Sequence, residues 1–285
     1  MQGDFRVGPE NDIVSVNSVY KRGEYMIRLK NEDQINKIRK SCHELADLFN
    51  EIIPKVKPGV STWEIDHWCQ EFCRKHGGKP AWMKEGFPGM ACISINNQVI
   101  HGVPSKKRFV EDGDLVSLDI GIDLDGYISD STHTVMVGNV KSEVKKLVRV
   151  TRESLLAGIA ACHPGNRISD ISNAVYDICA NQNKYGVVYD YCGHGVGLDV
   201  HEDPSIPNCP SRGPNPRIQA GMVLAIEPMI NLGTDDVELE EGSDWTVVTC
   251  DGSISCHEEH TVAVFQDHTE ILTDLNYNGC AVTGF

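Results

Sequence analysis

The chain of 285 residues predicts an α+β domain made of two related halves, with antiparallel strands covered by helices. Three observations carry that prediction. Apolar residues recur every three or four positions in four segments, the mark of amphipathic helices. Short β-rich runs bounded by turn residues follow each pair of helical segments. A Pro-Gly turn recurs in the middle of each pair, at Pro58-Gly59 and at Pro164-Gly165.

Residues 1–30 are polar and broken by Gly3, Gly8, Pro9 and Gly23, and read as an extended arm. From Asn31, a helix N-cap, Ile35, Ile38, Cys42, Leu45, Leu48, Phe49 and Ile52 form one apolar stripe that Lys57-Pro58-Gly59 closes. Ser61-x-x-Glu64 has the spacing of a capping box and opens a second helix. Its apolar face is Trp63, Ile65, Trp68, Cys69 and Phe72, and Gly77-Gly78 ends it. Strands are expected at Ala91–Ile95, Leu115–Ile122 and Thr132–Val137. Helices return at Ser142–Ala161 and Ser169–Gln182, then strands at Met222–Glu227, Trp245–Cys250, Ser253–Cys256 and His260–Phe265. Aligned on the two Pro-Gly pairs, Ile65 falls on Ile171, and Phe72-Cys73 on Ile178-Cys179. The repeated order of elements points to duplication, with a site where the halves meet. No linker separates the halves, so the expected organisation is an arm at 1–30, one domain at 31–275 and a loose tail at 276–285.

Hydrophobic residues at 40% and charged residues at 24% are ordinary for a globular protein. The net charge of −15 argues against binding nucleic acid or an anionic membrane surface. Lys21–Arg22 and Lys37–Arg39–Lys40 are the basic spots near the start and read as solvated surface; ribosome association stays open. The 11 cysteines include no CxxC pair, the first ten residues hold no apolar run, and no apolar stretch approaches 18 residues. The expectation is a cytoplasmic protein with reduced thiols, most of them buried.

Leu115–Asp130 reads as a β-hairpin with its turn at Asp123–Gly126, which sets Asp119 and Asp130 close together on adjacent strands. Paired carboxylates repel unless a proton or cation intervenes, and Asp119 lies in an otherwise apolar strand. Alone, the hairpin fits an exposed acidic edge equally well. Gly193, Gly195 and Gly197 flank His194, as where a chain approaches something closely, and His201 follows seven residues on. Glu227 ends the apolar run from Met222, where an ionised side chain needs a partner, and Glu259 opens the last predicted strand. Asp119, Asp130, His194, Glu227 and Glu259 together form a hard, oxygen-rich donor set. Its four negative charges suit two divalent cations, Mn²⁺ or Fe²⁺ first and Co²⁺ or Zn²⁺ after, and not a thiolate zinc site. Such a pair activates a shared water for attack on a carbonyl.

These motifs occur in a fixed order: Cys92–Asn96 with His101-Gly102-Val103-Pro104, Asp119 with Asp130, Gly193–Gly197 with His201–Pro204, Ile226–Met229, and Glu259–Thr261. In that order, over Asn31 to Thr273, the chain resembles the type I methionine aminopeptidases. Their pita-bread fold is shared with creatinase and the proline-specific peptidases. The resemblance implies that Asp119 chelates one metal, that His194 and Glu227 chelate the other, and that Asp130 and Glu259 bridge them. It implies that Glu227 also accepts the water's proton, that His201 donates to the scissile carbonyl, and that His101 contacts the scissile nitrogen. Phe87, Cys92 and Trp245 are the matching positions for the methionine pocket. The implied substrates are N-termini of nascent polypeptides with a small second residue, and the implied state is a monomer. Two stretches depart from the family pattern: Val200 stands where an aromatic residue often precedes the histidine, and Ala81–Glu85 differs ahead of Gly86-Phe87-Pro88. The competing readings are an Xaa-Pro peptidase, which usually carries a longer N-terminal domain, and a non-catalytic relative, which should have lost ligands.

Overall fold

A computed structural model describes residues 25–276 and 281–282. Positions 1–24 of the expected arm, Lys21–Arg22 among them, and most of the expected tail lie outside the described residues.

Four helices form where the apolar stripes are: α1 at Glu32–Ile52, α2 at Thr62–His76, α3 at Ser142–Ala161 and α4 at Ile168–Tyr176. Asn31 and Ser61 cap α1 and α2 through complete capping boxes with Gln34 and Glu64. Gly77, left-handed at φ 75°, stops α2. α3 has the expected bounds, while α4 starts one residue before the expected Ser169. Its N-cap is Arg167, whose N–H is taken by the Asp170 side chain at 2.7 Å. The helix then runs into a π-helical turn at Asp177–Gln182.

The strands build one antiparallel sheet. Its order is Lys79–Pro80, Leu115–Leu124, Tyr127–Met136, Glu259–Val264, Val223–Ile226, Gly193–Gly195 and Glu202–Ile206. Ala91–Ile95 also pairs with Leu115–Leu124, and Thr269–Ile271 with Glu259–Val264. Glu259–Val264 is therefore not the last strand. Ala281–Val282 returns to the sheet beside Thr269–Ile271, which corrects the reading of 276–285 as a loose tail. Strands this short carry no periodicity to read. Two further three-stranded sheets flank the main one.

The duplication is visible in matched hydrogen bonds. Gly59 N–H donates to Val110 O at 2.9 Å and Val110 N–H to Val60 O at 2.8 Å; Gly165 N–H donates to Ile218 O at 3.4 Å and Ile218 N–H to Asn166 O at 2.8 Å. Both glycines sit at positive φ, 91° and 100°, where a Cβ would be strained. The ladders match as well: Leu115 opposite Met136 in one half corresponds to Val223 opposite Ala263 in the other, and Leu118 opposite His133 to Ile226 opposite His260. One residue further on Asp119 faces Thr132, and in the other half Glu227 and Glu259 are the residues next after Ile226 and next before His260. The halves join where Glu259 pairs with Thr132, so the pseudo-two-fold axis passes through the predicted metal ligands. Helices cover each half: Leu155, Ile159 and Ile171 pack with Leu224, Ile226 and Val262, while Ser41 of α1 donates to Ile122 O at 3.0 Å.

The segment just before α1 is fastened to the loop that holds His201. Lys30, buried, places its ammonium 2.6 Å from the buried Glu202 carboxylate, and Arg28 reaches the same oxygen at 3.2 Å. Glu202 also accepts the N–H groups of Leu198 and Asp199. Removing one partner of a buried pair strands the other. Lys30→Met is expected to cost about 3 kcal/mol, the low end because Arg28 remains, and to lower the melting temperature by roughly 6–12 °C in calorimetry. A change under about 2 °C would mean that the pair holds nothing. The other basic spot is paired: Lys37 with Asp33 at 2.7 Å and Arg39 with Glu270 at 2.6 Å.

Candidate active site

The Leu115–Leu124 and Tyr127–Met136 strands turn at Asp125-Gly126, both at positive φ (54° and 85°) as a tight two-residue hairpin demands. The turn is one residue later than the sequence reading placed it, centred between Leu124 and Tyr127. Asp119 faces Thr132 and Asp130 faces Gly121, so the two carboxylates are diagonal neighbours on one face of the sheet. Asp119 is 7% exposed and Asp130 fully buried. The exposed acidic edge is thereby excluded.

His194 comes to that face on the short Gly193–Gly195 strand. A Cβ on Gly193 would lie 2.4 Å from Ala225 O, and one on Gly195 2.4 Å from Asp203 O. Only glycine lets this strand press so closely between its neighbours. His194 Nδ1 lies 2.9 Å from Gly195 O, and since a carbonyl only accepts, the proton is on Nδ1. Nε2 is left with its lone pair facing Asp130 Oδ2 at 3.6 Å and Glu227 Oε1 at 3.4 Å. Glu259 joins them: ligand atoms of Asp130, His194 and Glu259 lie within 4.8 Å of one another. Strand alternation separates it from Glu258, which points the other way to Arg152 at 2.7 Å.

The electrostatics are those of negative charge crowded out of water. Burial pushes Asp119 up to about 7 and Glu227 up to about 8. Asp130 and Glu259 are raised well above the usual carboxylate range by burial, and then by Asp119 and Asp130 respectively. Asp119 Oδ1, both oxygens of Asp130 and Glu259 Oε1 have no hydrogen-bond partner. Buried acceptors left bare, around a nitrogen lone pair, are the donor set of a hard divalent cation. The residues fit that group.

Around the donors stand the other predicted residues. His201 meets His194 edge to face at 4.4 Å. Burial lowers the His201 imidazole, but a 2.8 Å hydrogen bond to Glu85 and the charge of that carboxylate reverse the sign, and its net shift is upward. His101 lies 6.0 Å from the Tyr191 ring and 6.2 Å from the Trp245 ring, held neutral by burial that pulls it down to about 3. Phe87 meets Trp245 edge to face at 5.4 Å, and Cys92 pairs with Asp119 across the ladder. Phe87, Cys92 and Trp245 share one apolar cluster with Trp82, Val103 and Val200.

Two site residues were not anticipated. His257 is buried, with Nε2 3.3 Å from Glu227 Oε2. The signal for it is the pseudo-two-fold, which sets His257 where the other half has Asp130; the ladder register is needed to see it. Glu85, the partner of His201, lies in a stretch that departs from the family pattern.

Among the described residues, cysteines are free thiols and mostly buried, and no helix is long and apolar enough to cross a membrane.

The model of metallopeptidase family M24 matches residues 36–266. A methionine aminopeptidase of Treponema pallidum is 60% identical over 250 residues, 87% of this chain and 97% of that protein. The crystal structure of methionine aminopeptidase from Rickettsia prowazekii superposes with a TM-score of 0.84 at 37% identity, covering 87% of this chain and 100% of that one. Prolidase from Pyrococcus furiosus shares the fold at TM-score 0.71 and 24% identity, and the match covers 65% of its length.

Proposed function

Since this chain belongs to metallopeptidase family M24, in its methionine aminopeptidase branch, we propose that the carboxylate cluster on the pseudo-two-fold axis removes the first methionine from new polypeptides whose second residue is small. The observation that carries the reading is that Asp130, His194 and Glu259 come within ligand reach of one another, with Asp119 on the same sheet face, Glu227 3.4 Å from His194 and four carboxylate oxygens unpartnered. Asp119, Asp130, His194, Glu227 and Glu259 are the residues that would hold two divalent cations. When bound, these ions, Mn²⁺, Fe²⁺, Co²⁺ or Zn²⁺, supply Lewis acidity to a water and to the scissile carbonyl.

The chain's own groups do the rest. Glu227, with its raised proton affinity, accepts the proton of the attacking water and passes it on. His201 donates to the carbonyl oxygen as charge develops there. His101, neutral, contacts the nitrogen of the bond being cut. Phe87, Cys92 and Trp245 wall the recess for the methionine side chain, whose burial excludes water from the reacting centre. The enzyme works in the cytoplasm on chains leaving the ribosome, as a monomer.

The test is methionine release from Met-Ala-Ser and Met-Leu-Ser by protein reconstituted with each of the four metals, with Asp119→Asn as control. Release from the first peptide alone, lost in the control, is the expected result. No release under any metal would overturn the aminopeptidase reading and favour an Xaa-Pro peptidase or a binding relative.

A further inference from the structure

The stretch Ala81–Glu85 has no place in the mechanism above, yet it reaches the site. Trp82–Glu85 forms one 3₁₀ turn, stopped by Gly86 at φ 92°. The turn is tied to the sheet at two points: Ala81 N–H donates to Gly121 O at 3.1 Å, and Lys84 pairs with Asp123 at 2.5 Å. Its last side chain, Glu85, places Oε1 2.8 Å from His201 Nδ1. The loop bearing His201 is fixed independently, by the Glu202 carboxylate that accepts from Leu198 and Asp199 at 2.7 and 3.0 Å and pairs with Lys30. Two separately anchored loops therefore meet at one hydrogen bond. The apolar cluster under the contact contains both Trp82 and Val200, and the Trp82 ring lies 5.8 Å from that of His201.

We propose that Glu85 is the positioning residue of His201, holding its Nδ1–H so that Nε2–H, on the opposite edge of the ring, is the donor presented to the substrate carbonyl. The Glu85 carboxylate accepts, so the proton of this bond is on Nδ1 and the ring's rotation is fixed; Nε2 must carry a proton as well to donate to a carbonyl, so the ring that acts is the imidazolium. The edge-to-face contact with His194 closes the remaining side at 4.4 Å. Glu85 is not among the predicted metal ligands; it acts through His201. The inference rests on the role given to His201 in the proposed function.

Its test has two arms. In metal-free protein labelled with ¹⁵N-histidine, and with His201→Ala for assignment, the wild type is expected to show His201 protonated at Nδ1 in long-range ¹H–¹⁵N spectra. Glu85→Ala should lose that signature; Glu85→Gln, whose amide oxygen still accepts, should keep it. In the loaded enzyme Glu85→Ala should lower kcat roughly 10- to 100-fold on Met-Ala-Ser with KM little changed, the scale of losing a histidine's orienting partner, and Glu85→Gln should restore most of it. A Glu85→Ala protein that retains the Nδ1 signature, or loses it with kcat unchanged, overturns the proposal. If the wild type releases no methionine, the aminopeptidase reading falls, while the nitrogen signature still decides whether Glu85 holds the ring.

Discussion

Replacing Asp130 with Asn is expected to silence the enzyme and, in the same protein, to raise the melting temperature of its metal-free form. Asp130 is fully buried, neither of its oxygens has a hydrogen-bond partner, and it faces the bare Nε2 of His194 at 3.6 Å. Without a cation this is a liability, since burial and the nearby Asp119 and Glu227 all oppose its ionisation. Asn keeps the shape, carries no charge, and has an amide N–H₂ that can donate to His194 or Glu259. Removing even about 1 kcal/mol of such repulsion should raise the melting point by roughly 2–4 °C. The loaded enzyme moves the other way. In the proposed site Asp130 would help to balance the bound cations, so losing its charge should remove several kcal/mol of transition-state stabilisation. The expected loss in kcat/KM is on the order of a thousandfold or more. The pair of readouts is steady-state release from Met-Ala-Ser and calorimetry in excess chelator. If Asp130→Asn lowers the metal-free melting point, Asp130 is a structural hydrogen-bonding residue and not one kept for a cation.

What the sequence made legible follows from where each signal lives. Asp119 and Asp130 could be brought together because they flank one hairpin turn; the register differs by one residue from the sequence reading, and the Asp125-Gly126 turn makes them diagonal neighbours. His194 was marked by its glycines, which the structure explains as backbone crowding against Ala225 and Asp203. The duplication was legible as a repeated Pro-Gly. Its full consequence was not, because it depends on the register of two separate ladders and on the Glu259–Thr132 pairing that joins them across 127 positions. His257 stayed hidden for that reason. Arg167 stayed hidden because arginine is no ordinary cap; the Asp170 side chain, three residues on, is what betrays the helix start. The three-residue strands at Val247–Thr249 and Ser255–His257 pair with different neighbours, Gln98–Ile100 and Met229–Asn231, which no local pattern states.

Stability of the metal-free protein should fall as pH rises above neutrality, and metal should remove most of that fall. Two sets of buried groups oppose each other. His101, His133, His194, His257 and His260 are pulled by burial to about 3–4, so between there and the ordinary value of 6.5 the unfolded chain takes protons that the folded chain refuses. That set stabilises the fold as pH rises, and its contribution is complete above about 6.5. The carboxylates have the opposite sign. Asp119 at about 7, Glu227 at about 8, and Asp130 and Glu259 higher than usual retain protons that the unfolded chain has already released above about pH 4. Their contribution is full below that and is lost as pH rises through the folded values. Below pH 6.5 the two sets offset one another; from 6.5 to about 8 the site carboxylates act together with Glu258, raised by burial to about 7, and with His201, whose upward shift has the same sign. Each proton retained by the folded state then costs about 1.4 kcal/mol per pH unit, so the metal-free melting point should fall by roughly 3–6 °C per unit over that window for each such proton. Divalent metal needs the deprotonated site, so it replaces the protons held there and should remove most of the fall. The gap between metal-loaded and metal-free melting points, measured at intervals from pH 5.5 to 8.5, should therefore widen with pH. Asp130→Asn should flatten the metal-free slope by removing one of its sources. A metal-free melting point that climbs from 6.5 to 8 would mean that the carboxylates are ionised and satisfied within the apo fold, and the argument for a cation site from their bare oxygens would go with it.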